Sequence, residues 1–130
     1  RDATTVANDL RKRILELYGS FLNADGTYVD YEGMKESEKF EEYKAVAAEL
    51  QRCDPRLLNR DDRMAFFINI YNALIVHATI VKGVPDDTFK RLKFFDEAKY
   101  DIGGLQYSAN DIEHGVLRSN RPSPAAIGVL

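Results

Sequence analysis

The chain has 130 residues, 45% of them apolar and 30% charged, with a net charge of -3. That length is of single-domain size and long enough to bury a continuous core. Residues 1–60 carry 10 basic and 12 acidic side chains and residues 61–130 carry 8 and 9, so no bulk field recruits nucleic acid or an anionic membrane.

Cys53 is the sole cysteine, which excludes an internal disulfide and a cysteine-based zinc site and fits a cytoplasmic location. Asn69, Asn72 and His77 interrupt the most apolar stretch, so no membrane span is expected. The start Arg1-Asp2-Ala3 and the apolar end Ile127-Gly128-Val129-Leu130 read as the edges of a piece of a longer protein.

Val6, Leu10, Ile14, Leu17 and Phe21 recur at spacings of three and four, which predicts an amphipathic helix stopped by Gly26. A short extended piece, Thr27 to Asp30, leads through Tyr31-Glu32-Gly33 to a second helix marked by Phe40, Tyr43, Val46, Ala47 and Leu50 and closed by Pro55. Asn59 is placed to cap a third helix over residues 60–82, with Asp61 and Asp62 in its first turn and Gly83 and Pro85 as stops. From Phe66 to Val81 its apolar residues cover every face, so the other helices are expected to surround it.

Asp86 or Asp87 can cap a short fourth helix with Phe89, Leu92 and Phe95 inward. Tyr100 to Tyr107 reads as a hairpin turned at Gly103-Gly104. Ser108 and Asp111 form a capping-box pattern opening a last helix with Ile112, Val116 and Leu117 apolar. The fold class is therefore mainly α, about five helices around a buried central helix, with one small β-hairpin. A single domain over 1–130 is expected.

Asn69 and Asn72 lie about 60° apart on the helical wheel and His77 about 80° to the other side of Asn69, at 100° per residue. They share one broad flank, where they either tie the core to loop backbones or line a pocket. His114 sits beside Glu113 with Asn110 and Arg118 four residues to either side, so it could meet both along one face. No zinc-binding spacing joins His77 and His114, and neither a metal nor a cofactor is expected. Asn23, Asp25, Gly26 and Glu32 match positions of a calcium loop, but Phe21 stands where the leading carboxylate belongs, so the match reads as a helix stop and turn. Cys53 falls at a helix C-terminus, where the dipole raises a thiol pKa, and no serine lies in an elbow motif. Lys90, Arg91 and Lys93 read as a solvated helix face.

Several ordered blocks are similar to one family: Ala65-Phe66-Phe67-Ile68-Asn69-Ile70-Tyr71-Asn72-Ala73-Leu74, then His77, Leu92-Lys93-Phe94-Phe95, Tyr100-Asp101-Ile102-Gly103-Gly104, and Asp111-Ile112-Glu113-His114-Gly115-Val116-Leu117-Arg118. Over about Tyr28 to Pro122 the chain resembles the family catalogued as domain of unknown function 547. The resemblance implies a setting beside glutaredoxin, DEP or coiled-coil segments, and a pattern that continues past Leu130 into a block with another histidine and a cysteine pair. It singles out His77, His114 and Glu113 as catalytic candidates and Asn69, Asn72 and Arg118 as binding candidates. Two functions are expected from it. One is a protein-interaction module in a multidomain signalling or redox-linked protein. The other is the amino-terminal part of a papain- or transglutaminase-like thiol hydrolase or transferase whose cysteine lies beyond residue 130.

Overall fold

Helix formation begins where a side chain can accept the first free amides. In the computed structural model, which describes residues 1–117, Asp2 accepts from the Thr5 N–H at 2.8 Å and opens α1, Ala3–Phe21. The helix ends at Phe21, before Gly26, because Leu22 turns extended and pairs with Val29 in an isolated antiparallel bridge. The intervening turn uses Asn23 and Asp25 itself: both side chains accept from the Thr27 N–H. Those two groups are therefore engaged in holding a turn.

A short helix that periodicity does not announce, α2 at Tyr31–Lys35, is capped by Asp30 and buries Met34. Ser37 caps α3, Glu38–Ala48, whose Phe40, Tyr43, Val46 and Ala47 are buried as their spacing predicts. Two 3-10 turns, Glu49–Arg52 and Pro55–Leu57, carry the chain to α4, Arg60–Lys82. Asn59 caps α4 through the Asp62 N–H at 2.8 Å, and Gly83 ends it with φ +83°.

By length and composition α4 could cross a membrane. Its Phe66, Phe67, Ile70, Ala73, Leu74, Ala78 and Ile80 are instead buried in the core, with α1, α2 and the Asp111–Leu117 segment packed on it. The other helices do not enclose it on every side. Ile68 and Val81 are exposed, and Asn72 lies on the same open flank as Ile68. A stripe that is apolar all round can thus have one side left open when too few elements surround it.

Asp87 caps α5, Thr88–Glu97. The expected inward stripe is displaced. Phe94 is buried, while Phe89 is 75% and Leu92 37% exposed and Phe95 half-buried, because α5 rests on the body along Phe94 and Ala98 at its carboxy-terminal end. The strands β1 (Lys99–Ile102) and β2 (Leu105–Ser108) pair antiparallel, Tyr100 opposite Tyr107. Gly103 and Gly104 have φ +61° and +89°, the paired positive values of a type I′ turn. A Cβ on Gly103 would come within 2.5 Å of the Cys53 carbonyl oxygen, so glycine also lets the hairpin tip dock on the first 3-10 turn.

Ser108 and Asp111 satisfy each other's amides at 2.9 and 3.0 Å, a complete capping box. The segment it opens, Asp111–Leu117, is π-helical rather than α-helical. Such segments are rare and concentrate at functional sites.

Candidate functional site

The two histidines occupy different surroundings. His77 projects from α4 toward α3 and β1, edge-on to the rings of Phe40 and Tyr43 at centroid distances of 5.4 and 5.6 Å. Its Nδ1 lies 2.7 Å from the Tyr100 hydroxyl. Tyr43 donates its one hydroxyl proton to the Ala73 carbonyl at 2.7 Å, and its oxygen lies 3.4 Å from that of Tyr100. Burial, and then the positive charge of Lys44, lower the His77 pKa to about 4, so the ring is neutral at physiological pH.

His114 lines an open groove of about 810 Å3 bounded by Leu92 and Asp96 of α5, Leu105 to Tyr107 of β2, and Asn110, Asp111 and Val116. Its Nε2 lies 3.4 Å from Glu113 Oε2, and its buried Nδ1 meets no partner among the described residues. Glu113 is its immediate neighbour in the chain. Asn110, expected to meet His114 one turn away, instead donates to Asp96 across the groove. Arg118, the other expected partner, lies outside the described residues. Burial first, and then the charge of Glu113, raise the Tyr71 phenol above its ordinary value.

Asn69 and Asn72 line a second groove, of about 490 Å3, walled by Ile14, Leu15 and Tyr18 of α1, Tyr71, Ile75 and Val76 of α4, and Phe95 of α5. Asn69 is half-buried and Asn72 exposed. Neither amide side chain hydrogen-bonds to a described residue, so among the described residues they do not tie the core to loop backbones. The flank on which Asn69, Asn72 and His77 were expected together is divided: about 140° separates Asn72 from His77 on the wheel, and α1 and α3 claim different parts of the arc. Among the described residues, His77 and His114 share no cavity.

Cys53 is buried, and its thiol points to the Glu49 carbonyl oxygen at 3.5 Å. Its pKa is raised, as expected, although burial rather than a helix dipole is the main cause. The basic cluster on α5 is partnered: Lys90 meets Asp86, Lys93 meets Glu97, and the Arg91 guanidinium lies over the Phe95 ring.

A family model with the description "Protein of unknown function, DUF547" matches residues 55–128, more than half of the chain. The chain belongs to that family. In DUF547 terms the match covers α4, α5, the hairpin and the π-helical segment, and it begins at Pro55 rather than near Tyr28, leaving α1 to α3 outside it. No curated protein and no solved structure matches the chain. Both histidines and both asparagines fall within the DUF547 match. The residues that sequence reasoning missed are Tyr43 and Tyr100, which complete the His77 network, and Leu92, Asp96 and Leu105, which build the His114 groove.

Proposed function

We propose that this DUF547 domain is a protein-interaction module that takes a segment of a partner protein into the His114 groove. The observation that carries the reading is the make-up of that groove. Leu92, Leu105 and Val116 give it apolar walls, Asp96 and Asp111 give it two carboxylates, and among the described residues no lysine or arginine lines it. One oxygen of each carboxylate is occupied, Asp96 Oδ1 by Asn110 and Asp111 Oδ2 by the Ser108 N–H. The second oxygen of each has no partner among the described residues. A segment with apolar anchors and a lysine or arginine complements such a surface. Leu105, 61% exposed, leaves much of that apolar wall open to solvent. In this reading the domain works in the cytoplasm within a multidomain signalling or redox-linked protein, with glutaredoxin or DEP domains as neighbours.

The test is selection of a phage-displayed library of random peptides on the chain. Enrichment of peptides combining apolar residues with lysine or arginine is expected, with binding weakened in Leu105→Glu, which removes an apolar anchor, and lost in Asp96→Lys, which reverses a charge. Binders indifferent to both substitutions would overturn the reading.

One observation favours a second reading, in which the domain supports a thiol hydrolase or transferase. His114 is the histidine with both an open groove and a neighbouring carboxylate, the arrangement in which an imidazole can activate a thiol. Cys53 is too buried to be that thiol, so the cysteine would come from another part of a longer protein. Labelling of the longer protein by a thiol-reactive probe at neutral pH, unchanged by His114→Ala, would sink this reading.

A further inference from the structure

The groove between α1 and α4 has a chemistry different from that of the His114 groove. Its walls are apolar, its one charged lining residue among those described is Arg11, and its polar rim consists of two amide side chains, Asn69 and Asn72. The Arg11 side chain forms no ion pair or hydrogen bond with any described residue, and the two amides are likewise without partners there. Leu15, on the α1 wall, is 65% exposed. A guanidinium and two amides that are unpaired among the described residues, and an apolar floor, therefore face one cavity.

We propose that this groove binds an extended polypeptide segment, with Asn69 and Asn72 pairing its main chain and Arg11 pairing an acidic side chain. Each amide side chain carries a donor and an acceptor, which is what an unpaired peptide group needs from a partner. A helical ligand is a poorer match, because its main-chain groups are already paired internally. An extended segment keeps them available. Arg11 to Tyr18 and Asn69 to Val76 each advance seven positions, roughly 10 Å at 1.5 Å per residue. About three extended residues at 3.3 Å each fit that length. Asn69 and Asn72 stand about 4.5 Å apart along the axis and about 60° apart around it, so their diverging amides can reach alternate peptide groups, the ones that face the same edge of such a strand. The apolar floor accepts the side chains that point inward.

This surface is separate from the His114 groove, and the proposal rests on its own residues. Random twelve-residue peptides displayed on phage are selected on the whole chain, and the strongest binder carrying an acidic residue is resynthesised with a fluorophore. Its affinity is measured by anisotropy. Asn72→Ala is expected to weaken binding between about twofold and tenfold, the loss of ordinary hydrogen bonds. Arg11→Glu weakens it further and shifts a repeated selection toward basic peptides. N-methylation of the peptide's central amides, which leaves its side chains unchanged, weakens binding to the unaltered chain but has less effect on Asn72→Ala.

Arg11 and Asn72 are both exposed, so these variants keep the fold, and a melting curve checks that they do. Leu105→Glu, in the other groove, leaves this affinity unchanged, which separates failure here from failure of the function proposed above. No acidic binder, a binder indifferent to Asn72→Ala and Arg11→Glu, or a helical binder tolerant of N-methylation would each overturn the proposal.

Discussion

His77 and His114 sit on segments that pack against each other, yet one is packed among aromatic rings beside a cavity of only about 160 Å3 and the other lines a groove of about 810 Å3. His77 has a hydroxyl at its Nδ1, two aromatic rings edge-on to it, and a pKa lowered to about 4. His114 has a carboxylate beside it, a nitrogen unpartnered among the described residues, and room in front of it. The difference teaches that family membership and residue type do not assign a role. Polar partners and access divide a histidine packed into the core from one that faces a groove.

The comparison breaks most visibly at the packing around His77. Phe40 is 1% exposed and lies against both His77 and Tyr43, so Phe40→Ala is expected to cost about 3–5 kcal/mol in chemical denaturation. Loss of less than 1 kcal/mol would show that this side is loosely packed.

Acid gives the next effect. The folded-state pKa of His77 is depressed below the ordinary 6.5, so above pH 6.5 neither state holds the proton and nothing is lost. Between pH 6.5 and about 4 the unfolded chain binds the proton and the folded one does not, and stability falls as pH falls. The full loss is roughly 3 kcal/mol. Unfolding curves of wild type and His77→Gln across this window should diverge in slope; parallel profiles would remove His77 from the core. Tyr100→Phe, which strips His77 Nδ1 of its hydroxyl partner, is smaller, about 1–3 kcal/mol. Nuclear magnetic resonance of the His77 ring in that variant should show a changed titration alongside the lost stability.

Much of the frame was legible in the sequence because its signals are local. The spacing of α1 and α3, the Asn59 cap, the Gly103-Gly104 turn and the Ser108–Asp111 box each depend on residues a few positions apart. Helix α2 escaped because five residues are too few to show a period. The α5 stripe was displaced because which of several aromatics turns inward depends on what the helix rests on, and Phe94 rather than Phe89 meets the body. The sites were less legible for the same reason. His77 meets Tyr100 from 23 positions away, and the His114 groove takes Leu92 and Asp96 from one element and Leu105 from another. The asparagines stood out as polar residues in an apolar helix, but only the arrangement of α1 and α5 around α4 shows that they face an open groove.

The smallest expected stability change sharpens the comparison from the other side. Leu105 is 61% exposed and stands at the mouth of the His114 groove, where its side chain has little buried area to lose. Leu105→Glu should therefore alter stability by no more than about 0.5 kcal/mol, the range for surface positions without special contacts. The same substitution replaces an apolar anchor with a charge, so it should weaken capture of the peptides through their apolar residues, even though the added carboxylate favours their basic ones. Stability and binding then separate, stability following the His77 side and binding following the His114 side. Should Leu105→Glu unfold the chain as severely as Phe40→Ala, the groove would be part of the core and the contrast between the two histidines would collapse.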